Sequence, residues 1–378
     1  MKEEKKRFVA LDIFRGLTVC FMIIVNTPGN GDTSFAPLQH AKWFGFTATD
    51  LVFPSFLFAT GNAMYFAAER WLSMSTGQVW GKILKRSLLI FLLGVLMYWF
   101  PFFARDAAGG WSFRPLSHIR IMGVLQRIAV AYMFGAFLVY YCKPKVLVWV
   151  SAALLVLYYI LMVTCGYPGM DSLSMYGNAV LRLDTFVMGP NHLYHDHGEL
   201  YPFDPEGLLS TIPAIVNVIV GYLVGRYVLQ KKMGIEALLR VALVGFLLIV
   251  LAYFGNGIFP IGKKLWTSTF VLLTCGLDCL LLVAIIYWTD VLQKPFGNYF
   301  FSVFGKNPLV IYLFSELFAT VLFTVHADGD TNVYDWLFQH LFVHFTPYLG
   351  SLIQAICYML LCWSLGYVLD KKKIYIRV

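Results

Sequence analysis

Apolar runs of about 20 residues recur along the whole chain, and this repetition constrains the fold more than any other feature. A run of that length crosses the hydrocarbon core of a bilayer when it is helical. The composition agrees, because 59% of the residues are apolar, only 13% are charged and the mean hydropathy is +0.69. No series of alternating strands indicates a barrel. The sequence therefore predicts an all-α polytopic membrane protein, a helical bundle in a lipid bilayer.

A hydropathy window of about 20 residues predicts about ten transmembrane helices. They lie at residues 9–27, 47–67, 87–103, 121–141, 146–165, 208–229, 236–254, 266–288, 303–324 and 351–369. The longest connection between them, residues 166–207, is rich in Gly, Pro, Asp, His and Tyr. Such a segment favours a folded loop or a lid over a separate domain. We therefore expect one integral-membrane domain over residues 1–378.

The basic residues indicate how the chain is oriented. Most of the 29 Lys and Arg residues cluster on one side of the predicted helices, as the positive-inside rule describes. Both termini are therefore predicted to be cytoplasmic and the loop with His40 external, where Lys263 and Lys264 are among the few basic residues. These clusters explain the net charge of +8, so we expect no nucleic-acid partner. The seven Cys residues show no metal-ligand spacing.

Residues 39–61 hold the strongest candidates for acid–base chemistry. His40 lies in a polar loop, and Asp50 stands at the start of the next apolar run. Histidine changes its charge near neutral pH without help, and a carboxylate at the mouth of a membrane span is costly unless it has a task. Asp50 also suits a helix N-cap with Thr47. Trp43 suits either an interfacial aromatic belt or a platform for stacking a sugar.

Polar side chains inside the predicted helices indicate a polar interior. Arg15 lies three residues after Asp12, which allows an ion pair on one helix face or contact of Arg15 with a phosphate or carboxylate. Asn26 precedes a turn and is either a helix cap or a site residue. Gln126 and Arg127 lie inside the fourth predicted helix, and an arginine at that depth faces the bundle interior.

Further candidates lie at or near the external ends of the helices. Arg120 either snorkels to the interface or contributes to a site. Asp204 and Glu206 precede the sixth predicted helix, where acidic side chains suit a helix N-terminus or a cationic amine. Glu316 lies within the ninth predicted helix and adds a carboxylate to the polar interior.

The segment 191–197 resembles a metal site, because His192, His195, Asp196 and His197 lie within six residues. It has neither Cys ligands nor a metalloprotease motif. We therefore expect no metal there and interpret the histidines as part of the loop.

These motifs, in their order along the chain, resemble the bacterial relatives of the heparan-α-glucosaminide N-acetyltransferase family. The matching pieces are LDIFRGLTV, IVN followed by PG, HAKWFGFTATDLVFPSFLF, IRIMGVLQRIAVAY, FDPEGLLSTIPAI, KLWTSTFVLL, FGKNPLVIYLFSE and DKKKIYIRV. The resemblance implies an acetyltransferase of the bacterial inner membrane. It is expected to take the acetyl group from cytosolic acetyl-CoA and transfer it to the amine of a glucosamine-type sugar on the periplasmic side.

The resemblance also assigns residues. The active-site histidine of the family falls on His40, and the asparagine that accompanies it falls on Asn26. Asp50 is then expected to hold the imidazole tautomer or the substrate. The remaining candidates divide into a donor-binding set and an acceptor-binding set. The donor-binding set is Arg15, Gln126 and Arg127, and the acceptor-binding set is Trp43, Arg120, Asp204, Glu206 and Glu316.

Two other classes of protein fit the same residues. Intramembrane charges also suit a sugar transporter or sensor without catalysis. An O-acyltransferase that modifies cell-envelope polysaccharide is the other alternative. The sequence leaves the identity of the sugar and the oligomeric state open, with a homodimer among the alternatives, and we do not expect heparan itself to be the acceptor.

Overall fold

The computed structural model describes residues 8–105, 110–195, 202–295, 297–329 and 331–376. Its helices are α1 (Val9–Asn26), α2 (Ala48–Trp71), α3 (Thr76–Trp99), α4 (Val124–Tyr141), α5 (Pro144–Thr164), α6 (Ala179–Met188), α7 (Thr211–Gln230), α8 (Ile235–Gly255), α9 (Ser268–Ile286), α10 (Asn298–Lys306), α11 (Pro308–Thr324), α12 (Val333–Leu337) and α13 (Pro347–Lys371). Its strands form two short antiparallel pairs, β1 (Phe103–Arg105) with β2 (Trp111–Phe113) and β3 (His326–Asp328) with β4 (Thr331–Asn332). The protein is therefore an all-α polytopic membrane protein, as the sequence predicts.

Among the described residues, eight helices are long and apolar enough to cross a membrane, or nine when α10 and α11 count as one bent span. The predicted count of about ten includes residues 87–103, which correspond to α3. This helix has 24 residues, a sufficient length, but it begins at Thr76. Its first half carries Lys82, Lys85 and Arg86. The predicted start was too late because the hydropathy window excluded these basic residues.

The ninth predicted helix is broken near its beginning. The axes of α10 and α11 differ by 81°. Pro308 follows the break, and proline both lacks a backbone N–H and drives the preceding residue out of helical geometry. Asn307 accordingly has φ −131° and ψ 49°. Its side chain donates to Ile374 O at 2.9 Å and accepts from Ile376 N at 3.0 Å, so the C-terminal segment stabilises the bend.

The described chain divides into two compact units. Unit 1 comprises residues 8–39, 227–246 and the described residues of 277–376. Within it α1 packs closely against α10, because a Cβ on Gly305 would lie only 1.8 Å from Asp12 O. A glycine that lets two backbones approach is typical of packed membrane helices.

Unit 2 comprises the described residues of 40–226 together with 247–276. Here α2 and α7 cross closely, because a Cβ on Gly221 would lie 2.1 Å from Phe58 O. This crossing positions two helices that have candidate site residues at or near their N-terminal ends. Asp50 lies in the first turn of α2, and Glu206 lies shortly before α7.

Candidate active site

His40 and Asp50 form a direct hydrogen bond within unit 2. His40 Nδ1 lies 2.7 Å from Asp50 Oδ1, and the imidazole is 47% exposed whereas the carboxylate is fully buried. Asp50 Oδ2 also accepts from Ala41 N at 3.2 Å, Thr47 N at 3.0 Å and Thr47 Oγ1 at 3.1 Å. A carboxylate that accepts this many bonds requires the proton of a neutral His40 on Nδ1. The lone pair of the ring is then on Nε2.

The capping of α2 at its N-terminus explains how Asp50 is held beside His40. Thr47 is the N-cap residue and Asp50 is the third helical residue, so the two form a capping box. The sequence left a cap and a catalytic carboxylate as alternatives for Asp50. In the structure one carboxylate has both contacts, because Oδ2 caps the helix while Oδ1 faces His40.

Lys263 is a member of this site that the sequence reasoning missed. Its Nζ lies 3.1 Å from both Nδ1 and Nε2 of His40, which places the amine over the ring. The loop after α8 brings it there, since Ile261 O accepts from Gly45 N, in the loop that carries His40, at 2.7 Å. Burial lowers the pKa of Lys263, and the carboxylates of Glu206 and Asp50 oppose this effect. The signal in the sequence was a lysine on the external side, against the trend of the positive-inside rule.

Arg120, Asp204 and Glu206 form a buried ion cluster, also in unit 2. Arg120 Nε lies 2.9 Å from Asp204 Oδ2, while its Nη2 lies 2.6 Å from Asp204 Oδ1 and 2.5 Å from Glu206 Oε2. The guanidinium also lies over the rings of Tyr98 and Tyr194, at 5.0 and 4.8 Å from their centroids. Arg120 is thus paired in the interior. It forms ion pairs with Asp204 and Glu206, the two carboxylates that the sequence suggested for a cationic amine.

Arg127 is fully buried in α4 and only partly satisfied. Its Nη2 donates to Gly207 O at 3.1 Å and to Ser210 Oγ, and its guanidinium lies 4.8 Å from the ring centre of Trp266. Among the described residues, Nε and Nη1 of Arg127 and both amide atoms of Gln126 have no hydrogen-bond partner. Because unpaired buried polar groups are costly, such groups mark a place where a polar ligand can bind.

Asn26 and Glu316 meet in unit 1, where Asn26 Nδ2 donates to Glu316 Oε1 at 3.3 Å. A cavity of about 490 Å³ adjoins Asn26. Aromatic faces and polar groups share its lining, which includes Asn30, Phe323, Tyr334, Asp335 and Phe338. A cavity with apolar rings and a few polar groups is the usual form of a small-molecule site.

Arg15 and Trp43 have structural partners. Arg15 Nη2 lies 2.5 Å from Asp12 Oδ1 in unit 1, so the ion pair that their spacing allows is present. In unit 2, Trp43 Nε1 donates to Leu173 O at 2.9 Å, and its ring packs edge-on against Phe203 at 5.2 Å. Trp43 therefore anchors the long loop, which contains α6.

The histidines of that loop have separate partners. His192 Nδ1 lies 2.7 Å from Ile119 O, and His195 Nδ1 lies 3.0 Å from Leu193 O. Asp196 and His197 lie outside the described residues. Within the described part of the chain, no group of three His, Cys, Asp or Glu side chains is arranged to hold a metal ion.

Comparison with known proteins gives one family. The family model described as "Heparan-alpha-glucosaminide N-acetyltransferase, catalytic" matches residues 7–251. The heparan-alpha-glucosaminide N-acetyltransferase of Mus musculus is 26% identical over 430 residues, which cover 100% of this chain and 61% of the mouse protein. That of Homo sapiens is 27% identical over 365 residues, which cover 82% of this chain and 53% of the human protein. The chain thus spans less than two thirds of the length of these curated relatives. Because the family model matches more than half of the chain, the protein belongs to the transmembrane N-acetyltransferase family of heparan-α-glucosaminide N-acetyltransferase.

Proposed function

We propose that the protein transfers the acetyl group of cytosolic acetyl-CoA to the amine of a glucosamine-type sugar on the periplasmic side of a bacterial inner membrane. The observation that carries the proposal is the hydrogen bond between His40 and Asp50. It engages Nδ1 and leaves Nε2 with a lone pair at the mouth of α2.

Acyl transfer to an amine needs a group that removes the ammonium proton and a donor for the oxyanion. His40 Nε2 removes that proton, or it attacks the thioester carbon and carries the acetyl group itself before the amine displaces it. Both routes begin with the same neutral tautomer. Asp50 holds that tautomer and stabilises the imidazolium that forms when Nε2 accepts a proton. Asn26 is assigned as an oxyanion donor or orienting group from the family resemblance.

The donor is proposed to pass along α4. Arg127 Nε, Arg127 Nη1 and the amide of Gln126 are buried and unpartnered among the described residues, and acetyl-CoA offers amides and phosphates to such groups. Arg15 is also assigned to the donor-binding set, because its charge lies near the proposed cytoplasmic end of α1. There it already forms an ion pair with Asp12.

The acceptor is proposed to use the cavity beside Asn26. Rings such as Phe323 and Phe338 present apolar faces to a sugar, and Asn30 and Asp335 present polar groups to its hydroxyls and ammonium. A volume of about 490 Å³ suits a small saccharide. This site lies in unit 1 and is proposed together with the family assignment of Asn26.

The direct test supplies purified protein with acetyl-CoA labelled in the acetyl group and with a panel of sugars. Glucosamine is expected to become labelled. N-acetylglucosamine and glucose serve as controls because neither has a free amine. Label on glucose or other hydroxyl-only sugars, without label on amines, would favour the O-acyltransferase. Sugar binding without any transfer of label would favour the transporter or sensor.

The orientation is tested with single cysteines in a background that lacks all seven native Cys residues. Because the positive-inside pattern predicts an external His40 loop, Lys42→Cys is expected to react with a membrane-impermeant maleimide in intact cells. Lys231→Cys, in the turn between α7 and α8, is expected to react only after the membrane is opened. The reverse pattern of labelling would reject the proposed orientation.

A further inference from the structure

The amine of Lys263 occupies an unusual position over the imidazole of His40. Its Nζ is 3.1 Å from Nε2 and also 3.1 Å from Nδ1. Because Nδ1 donates its hydrogen bond to Asp50, the lone pair of the ring is on Nε2, where it points outward in the ring plane. The contact therefore places a donor of Lys263 over the ring, beside the atom at which the proposed chemistry takes place.

The surroundings of Lys263 lower its pKa, so its amine loses a proton more readily than that of an exposed lysine. Burial acts first and disfavours the charged form. The carboxylates nearby restore part of the charge, while the neighbouring cations oppose it. The charged and titratable groups that face Lys263 are Glu206 and Asp50, which favour the ammonium, Arg127 and Lys264, which disfavour it, and the ring of His40.

We propose that protonated Lys263 is a further catalytic residue, which donates a hydrogen bond to the acyl oxygen as that oxygen becomes negatively charged beside His40 Nε2. This role rests on the proposed acetyltransferase function. A donor for an oxyanion must lie about 2.7–3.1 Å from the place the oxygen will occupy. Lys263 Nζ lies 3.1 Å from Nε2, so an acyl carbon at Nε2, or at an amine hydrogen-bonded to Nε2, can turn its oxygen toward this donor.

The electrons and protons balance without a change of charge on Lys263. The attacking nitrogen, from His40 or from the sugar, forms a bond to the thioester carbon, and the carbonyl electron pair moves onto oxygen. That pair returns when the carbon–sulfur bond breaks and the thiolate leaves. When the sugar attacks directly, the proton that its nitrogen loses passes to His40 Nε2. When His40 attacks, the sugar amine next attacks the acyl carbon, the bond from that carbon to Nε2 breaks with its electron pair returning to the ring, and Nε2 takes up the proton that the amine loses. Lys263 keeps its proton throughout, and one of its N–H groups donates to the oxyanion. The ammonium form must therefore be present for the reaction to be fast.

This requirement sets the sign of a pH dependence. Because the pKa of Lys263 lies below the usual value for lysine, the ammonium is lost as the pH rises through that lowered pKa. The rate is then expected to fall on the alkaline side. Arginine keeps its charge over the whole working range, so Lys263→Arg is expected to remove this alkaline decline.

The test compares Lys263→Met, Lys263→Arg and the control Lys42→Met, which removes an exposed lysine from the loop of His40. Removing one oxyanion donor costs about 10²–10³-fold in turnover, so Lys263→Met is expected to lose that factor with little change in acetyl-CoA affinity. Lys42→Met is expected to match wild type. Lys263→Arg is expected to exceed Lys263→Met and to keep its rate at alkaline pH.

The outcomes separate this role from the proposed function. Wild-type protein that transfers acetyl groups, together with a Lys263→Met variant within about threefold of its turnover, would reject the role alone, given that one lost donor costs far more. An alkaline decline that persists unchanged in Lys263→Arg would also reject it. That comparison decides the matter if Lys263→Met does not fold. Wild-type protein that transfers no acetyl group to any acceptor would reject the proposed function and the role with it.

Discussion

Replacement of His40 by Ala is expected to lower turnover by about 10²–10⁴-fold, the usual worth of a positioned general base. The variant loses Nε2, and it also loses Nδ1, which donates a hydrogen bond to Asp50 at 2.7 Å. Acetyl-CoA binding is expected to persist, because the proposed donor groups, such as Arg127, do not include His40. Steady-state turnover with labelled acetyl-CoA and glucosamine, measured beside calorimetric binding of acetyl-CoA, checks both halves of this expectation.

Two comparisons show whether the loss belongs to the imidazole. His118→Ala removes an exposed histidine from the same unit and is expected to keep wild-type turnover. His40→Gln keeps a polar side chain but no base, so it is expected to be nearly as slow as His40→Ala. A His40→Ala protein with wild-type turnover would show that His40 has no part in the mechanism. It would also remove the main support for the acetyltransferase over a transporter or sensor.

The contact between His40 and Asp50 could be predicted from the sequence because it is local. His40 and Asp50 are ten residues apart, and the rules of helix capping already place Asp50 at the start of α2. The membrane spans are local in the same sense, because each depends on the hydropathy of one segment. The break before Pro308 is local as well, but the apolar run around it predicts one continuous helix.

The partners that the sequence could not predict are distant along the chain. Arg120 and Glu206 are 86 residues apart, and His40 and Lys263 are 223 apart. Arg120 and Glu206 each have a satisfactory local explanation, which is snorkelling for Arg120 and a helix N-terminus for Glu206. Only the packing of helices and loops decides which opposite charges meet, and hydropathy carries no information about that packing.

Replacement of Arg120 by Met is expected to destabilise the protein by about 3–5 kcal/mol, because it leaves buried carboxylates without their counter-charge. Asp204 is fully buried, and the side chain of Glu206 is only 10% exposed. Both contact Arg120 at 2.5–2.6 Å. The measurement is the thermal midpoint of the purified protein in detergent, which is expected to fall strongly. Acetyl transfer is expected to fall as folded protein is lost.

An exposed pair of the same length provides the control. Arg240 lies 2.5 Å from Glu236 on α8, but both side chains are mostly exposed to their surroundings. An exposed ion pair contributes little, so Arg240→Met is expected to shift the midpoint only slightly. The destabilisation by Arg120→Met is expected to come from the buried carboxylates that it leaves without a counter-charge. Adding Asp204→Asn and Glu206→Gln removes those charges, so the triple variant is expected to recover part of the lost thermal midpoint. Equal shifts for Arg120→Met and Arg240→Met, or no recovery in the triple variant, would show that burial of these carboxylates does not set their dependence on Arg120.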